Sequence, residues 1–302
     1  MSRSSLYHEQ TARQRLSSLV DPDTFREFLP PPERVMSPYL PHLDVPVSFD
    51  DGLVTGRAAL DGKPVYLAAQ VGQFVGGSVG EVHGAKLTGI LKASARDSIP
   101  CIILVESGGV RLHEGSSGEI GISEAMRAVF ECRAKRVPTI AVIGADIGAY
   151  GGMGILSACC DFRIMTEHGR LGISGPIVIE KWMGKQAYDS SNRSLIWKTS
   201  GGKTKYLLND ANVLTHDDVT SIGGALKKLL SKSSPITLKT VKTRQHELES
   251  RLTRFGSTTC AEEIWNSLGI KDIKAASLAS APEFVAMTKS KHAKAKPETK
   301  KK

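Results

Sequence analysis

Short apolar runs alternate with helix-length segments between residues 64 and 175, and this alternation constrains the fold more than any other feature of the chain. The runs at 100–105 and 138–144 are largely apolar, which is typical of strands that are buried on both faces of a parallel sheet. Each run is followed by a segment with helical periodicity, at 119–135 and 151–158. Parallel strands need such crossover connections, so the pattern predicts an α/β fold of repeated ββα or βαβ units.

The flanking segments extend this pattern. Strand-like stretches at 47–49, 53–60 and 64–70 are separated by Asp51-Gly52 and Asp61-Gly62, and such pairs are typical of tight hairpin turns. Together they predict a β-meander ahead of the parallel strands. The remaining predicted elements are helices at 80–97, 217–231 and 240–255, and strands at 162–166 and 207–212.

The ends of the chain and one internal segment differ from this core. Residues 11–28 predict two helices, in which Asp21-Pro22-Asp23 stops the first helix and caps the second. Prolines between 30 and 46 predict an extended arm, which either wraps another surface or serves as a linker. The polar segment 182–202 is either a flexible lid or an ordinary surface insertion. The expected organisation is an N-terminal helical and proline-rich arm over 1–46, an α/β domain over 47–281, and a disordered lysine-rich tail over 282–302.

The net charge of +9 suggests a nucleic-acid-binding protein, but its distribution weakens that interpretation. Residues 289–302 contain seven lysines and one glutamate, a charge of +6, which leaves +3 of the +9 on the rest of the chain. Aromatic residues are 6% of the sequence, whereas a surface for single-stranded nucleic acid interleaves aromatic with basic side chains. We therefore expect no nucleic-acid partner. Salt-sensitive binding of nucleic acid by the chain without its last residues would favour this alternative.

Cysteine and histidine spacing predicts neither disulfides nor a metal site. The five cysteines are an odd number, no C-x-x-C pair occurs, and the eight histidines show no H-x-x-x-H spacing. No apolar run approaches the roughly 20 residues that span a bilayer, so we expect no membrane partner. Residues 1–10 also lack the apolar segment of a secretory signal, which predicts a cytoplasmic protein.

Three glycine clusters follow predicted strands, at 73–80, 106–111 and 148–154. Glycine lets the backbone turn sharply and lets its N–H groups face a ligand, and a following helix adds partial positive charge. A single cluster is explained by a tight turn, but three in register with the strands favour an oxyanion site. The clusters do not contain G-x-G-x-x-G, a P-loop or G-x-S-x-G. Backbone donors without a nucleophile or metal suit a reaction that forms an enolate at a thioester.

The segments 76–86, 103–115 and 148–154, with the opening segment 12–27, resemble the acyl-CoA carboxyltransferase family, and the resemblance covers most of residues 8–270. Within the family, 26–34 and 74–86 most resemble the beta subunits of biotin-independent malonate decarboxylases. The resemblance implies a crotonase-like ββα spiral. An alternative is the beta subunit of acetyl-CoA carboxylase or a related carboxylase. This sequence lacks the four-cysteine zinc ribbon that such bacterial beta subunits commonly carry.

The same resemblance implies half of an enzyme. A homologous gamma subunit would complete the active site as a heterodimer or larger assembly, and malonyl thioester on a small acyl-carrier subunit would lose CO2 there. The CoA-derived phosphopantetheine group would belong to the carrier, so this chain itself would bind no cofactor and no biotin. An alpha subunit would transfer the carrier from acetate to malonate. A structural subunit without catalytic activity of its own is a further possibility.

The oxyanion donors implied by the family are the N–H groups of Gly108 and Gly109, with Gly151 and Gly152 as the second choice. One such donor lowers a barrier by about 3–4 kcal/mol. Close packing between helix and strand would also explain Gly151 and Gly152.

Other residues are assigned to the substrate. Gly76, Gly77 and Ser78 would line the path of the pantetheine arm, and Tyr150 would border the site. Lys86 would lie near the phosphates of the arm, or else would be a solvated charge on a helix.

Proton transfer is assigned to His113, a residue of the matched motifs that is suited to it near neutral pH. A decarboxylase must protonate its carbanion, whereas a transferase need not. Arg111 and Glu114 are expected to shape the same loop by pairing with each other.

Overall fold

The protein is described here by a computed structural model, which describes residues 6–33, 36–43, 51–258 and 260–292. Within these residues, seven strands form one sheet whose spatial order follows the sequence. The first three strands pair antiparallel, and all later pairs are parallel. The strands are β1 (Arg26–Phe28), β2 (Leu53–Leu60), β3 (Lys63–Gln70), β4 (Cys101–Val105), β5 (Thr139–Ile143), β6 (Phe162–Thr166) and β7 (Val213–Thr215).

Helices cover both faces of this sheet. Their bounds are α1 (Ala12–Leu19), α2 (Glu81–Asp97), α3 (Ser117–Ala134), α4 (Gly151–Cys159), α5 (Pro176–Met183), α6 (Arg193–Ser200), α7 (Gly202–Leu207), α8 (Val219–Leu229), α9 (Leu238–Phe255), α10 (Ala261–Ser267), α11 (Ile273–Leu278) and α12 (Ala281–His292). No helix among the described residues is long and apolar enough to cross a membrane.

Alternate residues of the central strands feed two separate cores. Ile103 of β4 packs in a core with α2, α3 and α4, whereas Ile102 packs in a second core with α1 and α8. Because successive side chains of a strand point to opposite faces, a strand buried on both faces is apolar throughout. Both β4 and β5 are fully buried, which confirms the predicted parallel α/β core.

The predicted second N-terminal helix is wrong. Residues 26–28 instead form β1, which pairs antiparallel with β2. The carboxylate of Asp21 accepts hydrogen bonds from the N–H groups of Asp61 (2.9 Å) and Gly62 (2.8 Å). These hydrogen bonds hold Asp21 against the turn between β2 and β3. The residues that follow Asp21 therefore lie beside the edge of β2, where β1 pairs. The first helix is confirmed as α1, with Thr11 in a capping box.

One further prediction needs correction. The strand expected at 207–212 is the end of α7 and a turn, and β7 begins immediately afterwards at Val213. A short apolar run does not distinguish a strand from a buried helix, which explains this error. The polar segment 182–202 contains the end of α5 and all of α6. The strand predicted at 47–49 lies outside the described residues.

The tail prediction fails over its first part. Residues 281–292 form α12, and Phe284 is fully buried with its ring centroid 5.4 Å from that of Trp265. The Lys203 ammonium holds the preceding helix end by donating to the carbonyl oxygens of Ser277 (2.7 Å) and Ala279 (2.5 Å). The folded domain therefore continues past residue 281.

Candidate active site

The three glycine clusters meet beyond the carboxyl ends of β3, β4 and β5. Val79 bridges to Val110, and Ser107 bridges to Ala149, both in parallel orientation. The Ser107 N–H donates to the carbonyl oxygen of Gly148 (2.7 Å). Backbone hydrogen bonds join all three loops, so the loops lie close enough together to form the one site that was predicted.

Glycine is required where the loops cross. Gly77 has φ +63°, and a Cβ there would collide with the carbonyl oxygen of Glu106. Gly151 has φ +56°, and a Cβ there would lie 2.9 Å from the Cα of Gly109. Both φ values lie in the left-handed region that disfavours other residues. The loops approach each other as closely as two backbones can.

The four predicted oxyanion donors differ in whether their N–H groups are free. The N–H of Gly108 donates to the carbonyl oxygen of Gly76 (2.9 Å), and that of Gly109 donates to the hydroxyl of Ser107 (3.1 Å). The N–H of Gly151 donates to the carbonyl oxygen of Ile173 (2.8 Å). Gly152 has no acceptor among the described residues, and it lies in the first turn of α4, where intrahelical acceptors are absent.

Packing also explains the glycine pair of α4. A Cβ on Gly152 would lie 3.0 Å from the side chain of Ile122 in α3, so the close packing at Gly152 is between two helices and not between helix and strand as predicted. Gly152 can have both roles, because the packing depends on the missing Cβ and the donor role depends on the N–H. Gly152 is therefore the predicted donor that a ligand can reach without breaking an existing bond.

A buried polar network lies beneath the loops, and sequence reasoning missed it. Arg15 of α1 pairs with Glu106 at 2.5 Å, and both side chains are buried. The side chain of Gln70 accepts from the N–H of Glu106 (3.1 Å) and donates to the carbonyl oxygen of Gly77 (3.2 Å). The network ties α1 and two of the glycine loops together. The signal in the sequence is a polar residue at the end of a largely apolar strand: Gln70 ends β3, and Glu106 directly follows β4.

His83 completes this network from α2. Its Nε2 lies 3.2 Å from the Nε2 of Gln70, which is a donor, so His83 accepts and its proton sits on Nδ1. Burial lowers the pKa of His83 well below its usual range, and the positive charges of Arg111 and Lys86 lower it further. The imidazole is therefore neutral and structural.

The predicted pairing of Arg111 with Glu114 is confirmed. The two side chains are fully buried and lie 2.7 Å apart. Arg111 also donates to the carbonyl oxygens of Asp51 (2.9 Å) and Ser78 (3.0 Å), while Glu114 accepts from the N–H of Glu81 (2.5 Å). The pair fixes the loop between β4 and α3 and caps the N-terminus of α2.

His113 lies between these two buried residues but is itself exposed. Its side chain has no hydrogen-bond or ion-pair partner among the described residues. The neighbouring Leu112 is 77% exposed. Proton donation by His113 remains a prediction, and the side chain is free to take part in it.

The structure corrects the assignment of Lys86. Its ammonium is 3.1 Å from the Asp51 carboxylate and donates to the carbonyl oxygen of Leu53 (2.6 Å), with only 7% of the side chain exposed. It is neither a solvated charge nor available to a phosphate group, because it holds α2 against the start of β2.

The other predicted substrate residues lie at the loops. Gly76 is exposed, whereas Gly77 and Ser78 are buried, and the Ser78 hydroxyl donates to the carbonyl oxygen of Val75 (2.6 Å). Tyr150 immediately precedes α4 and is 3% exposed. Burial raises the pKa of Tyr150. Of this group, Gly76 is the residue that a ligand on the surface can touch.

An exposed apolar surface, here called the α5 surface, adjoins the loops. It consists of Ile173, Ile177, Val178, Trp182 and Met183, and Trp182 is 90% exposed. It is continuous with the site because Ile173 accepts from the N–H of Gly151. Apolar patches of this kind mark interaction surfaces.

The profile of the carboxyl transferase domain family matches residues 8–219. A malonyl-S-ACP:biotin-protein carboxyltransferase of Malonomonas rubra is 40% identical over 239 residues, which are 74% of this chain and 75% of that protein. The residues matched by the family profile include all three glycine loops.

Two solved structures are similar to most of the chain. One is a Pseudomonas malonate decarboxylase hetero-tetramer in complex with malonate, at 33% identity and a TM-score of 0.73, covering 93% of this chain and 96% of that chain. The other is a Pseudomonas MdcD-MdcE hetero-dimer, at 32% identity and a TM-score of 0.65, covering 84% and 97%. The predicted crotonase-like α/β fold is confirmed.

Proposed function

Because this chain belongs to the carboxyl transferase family, we propose that it is the beta subunit of a malonate decarboxylase. It pairs with a homologous gamma subunit, and the joint site converts malonyl-S-acyl-carrier protein to acetyl-S-acyl-carrier protein and CO2. The observation that carries the proposal is that three glycine loops meet beyond β3, β4 and β5, and that the N–H of Gly152 in one of them has no acceptor among the described residues. The similarity to proteins of malonyl thioester and malonate chemistry supports the choice of substrate.

The chemistry follows from where charge develops. When the Cα–carboxylate bond of a malonyl thioester breaks, its electron pair moves to Cα and onto the thioester oxygen. The enolate oxygen then accepts from the N–H of Gly152, at the positive end of α4. Gly109 supplies a second donor only when its N–H leaves the hydroxyl oxygen of Ser107, which requires a χ1 rotation of that buried side chain.

The reaction ends with a proton transfer to Cα. His113 is exposed beside the glycine loop and carries no competing partner among the described residues, so it can deliver that proton directly or through water. The Arg111–Glu114 pair on either side of it holds the backbone of this turn in place.

The gamma subunit covers the α5 surface. Exposure of a tryptophan and several aliphatic side chains to water is energetically unfavourable. Aromatic residues contribute much of the binding free energy at protein interfaces. The hetero-dimer among the similar structures supports a partner subunit of this kind.

The remaining partners are an acyl-carrier subunit and an alpha subunit that transfers the carrier. The charge of +3 outside the last 14 residues suits an acidic carrier with a phosphate-bearing arm. The phosphopantetheine group stays on the carrier, and the assembly works in the cytoplasm.

A second candidate function is carboxyl transfer to biotin. The relative at 40% identity is named as a malonyl-S-ACP:biotin-protein carboxyltransferase, which favours this candidate. Both reactions form the same enolate from the same thioester. They differ in whether the carboxyl group leaves as CO2 or moves to a biotin protein.

The test is a reconstituted assay. The chain is purified with its gamma partner, supplied with malonyl-S-acyl-carrier protein, and CO2 release is measured with avidin present to sequester biotin. Rapid release under avidin supports the decarboxylase. Release that requires an added biotin protein supports the transferase, and a lack of reaction of malonyl thioester in both assays contradicts both candidates.

A further inference from the structure

A cluster of histidine and aspartate side chains lies apart from the glycine loops. His8 precedes α1, Asp146 follows β5, and His168 follows β6. One possible ligand atom from each of these residues lies within 4.8 Å of those from the other two. The sequence separations are 138 and 22 residues, so no local spacing pattern could have revealed the cluster.

The two imidazoles lie against each other. The rings of His8 and His168 stack with their centroids 4.0 Å apart and their planes at 16°. Two protonated rings at this distance would repel each other. A neutral imidazole has the nitrogen lone pair that metal coordination requires.

Asp217 holds His8 in a position that is typical of metal ligands. The carboxylate of Asp217 bonds to Nδ1 of His8, which leaves Nε2 of His8 for another partner. Metal-binding histidines usually donate their second ring N–H to such a carboxylate. Asp217 is 9% exposed, and its Oδ1 is buried without a partner in the described part of the chain.

The second pair is hydrogen-bonded. Nε2 of His168 lies 2.8 Å from Oδ1 of Asp146, so the imidazole N–H donates to the carboxylate, and a metal ion bound here would replace this proton. Ligand atoms that share one tetrahedral zinc ion lie about 3.3 Å apart, because each metal–ligand bond is about 2.0–2.2 Å. The three ligand atoms lie within 4.8 Å of one another, so side-chain rotations that shorten the distances to His8 would bring all three onto one ion. The exposure of Asp146 leaves room for water as a fourth ligand.

We propose that His8, Asp146 and His168 bind a divalent transition-metal ion of the zinc class, with Asp217 orienting His8. Two imidazoles and one carboxylate suit zinc, cobalt or nickel, whereas calcium and magnesium prefer oxygen ligands throughout. The site is separate from the proposed chemistry, since none of its ligands belongs to the glycine loops that would bind the thioester.

Metal binding would join the N-terminal segment to the active-site loops. Asp146 lies in the turn that leads to Gly148, whose carbonyl oxygen accepts from Ser107. On the other side, Arg15 donates to the carbonyl oxygen of His8 (3.0 Å) and pairs with Glu106. The ion therefore stabilises the connection between β4, β5 and the start of α1.

The test uses the full-length chain purified without a polyhistidine tag and stripped with a chelator. Zinc is titrated by calorimetry, and cobalt is used as a spectroscopic probe. We expect about one equivalent to bind, with a cobalt spectrum typical of nitrogen and oxygen ligands. A rise in melting temperature with zinc is expected as well, because the ion binds only the folded state.

Variants assign the ligands. His8→Asn and His168→Asn should each abolish this binding, and Asp217→Asn should weaken it by about 10–100-fold. His246→Asn, an exposed histidine on α9, is the matched control and should bind as the unaltered chain does. Using both ligand variants keeps the test valid if one of them fails to fold.

Three results would overturn the proposal: no binding by the unaltered chain, equal binding by the two ligand variants and the control, or a thiolate charge-transfer band in the cobalt spectrum. The last result would place the metal on a cysteine such as the exposed Cys260.

Discussion

Gly108 and Gly152 each belong to a glycine pair beyond a buried strand, yet only Gly152 has a free N–H among the described residues. The difference comes from the neighbouring backbone. The carbonyl oxygen of Gly76 lies 2.9 Å from the Gly108 nitrogen, whereas the first turn of α4 offers no acceptor to Gly152. At the scale of single residues, the chemistry depends on which donors the fold leaves unused.

Gly152→Pro should lower the kcat for CO2 release by about 10²–10³-fold, because proline removes one oxyanion donor. Proline is tolerated in the first turn of a helix, so α4 should still form. Kinetics of the complex with the gamma subunit provide the measurement.

Gly152→Ala is the control for this change. It keeps the N–H and adds only a Cβ beside Ile122, at 3.0 Å. If alanine impaired kcat as much as proline did, packing against α3 rather than hydrogen bonding would explain the effect.

His113→Gln should lower kcat by about 10²–10⁴-fold, since glutamine keeps the size of the side chain but cannot transfer the proton. The side chain is exposed and unpartnered among the described residues, so the melting temperature should not change. His246→Gln is the matched control. Unchanged turnover in His113→Gln would show that the proton comes from another group, such as one of the gamma subunit.

At the scale of elements, long periodic patterns were predicted well. The helices α2, α3 and α9 and the strands β2 to β6 were expected close to their observed bounds, because each carries a clear repeat or a doubly buried run. The failures were short elements. β1 has three residues and forms because β2 offers an edge, and this is a property of the partner rather than of residues 26–28.

The C-terminal helix shows the same limit. α12 was mistaken for tail because lysines follow it closely in the sequence, yet Phe284 is fully buried against Trp265. The apolar residues of α12 become buried only because other helices, such as α10 with Trp265, provide a surface for them to pack against.

Phe284→Ala should lower the free energy of unfolding by about 3–5 kcal/mol, because it leaves a cavity beside Trp265. Urea denaturation followed by circular dichroism measures this change. Met287→Ala on the same helix is the control, and since Met287 is half-exposed the loss should be much smaller. Equal losses in the two variants would argue against the burial of Phe284.

At the scale of the whole molecule, the glycine loops and the α5 surface lie side by side. Exposed apolar residues beside a candidate site mark a surface for another protein, which agrees with the proposed gamma subunit. The +9 charge of the chain, which suggested nucleic acid at first, is concentrated beyond residue 288 and contributes little to this region.

Trp182→Ser should weaken binding of the gamma subunit by about 2 kcal/mol or more, which is roughly 30-fold in Kd. Calorimetry or analytical ultracentrifugation of the two purified subunits measures this change. Leu278→Ser, which alters another strongly exposed apolar residue on α11, should leave the Kd unchanged. An unaltered Kd for Trp182→Ser would place the interface elsewhere.

The sequence by itself determined the parallel α/β core, the glycine clusters at the strand ends and the family, because periodicity, turn chemistry and motif spacing are local properties of the chain. Only the tertiary structure decided that Lys86 is buried against Asp51, that Gly152 alone of the four predicted donors is free within the described residues, and that His8 lies beside His168. These facts depend on contacts between distant segments. Whether a polar group is paired, buried or free is determined by atoms that the chain brings together only when it folds.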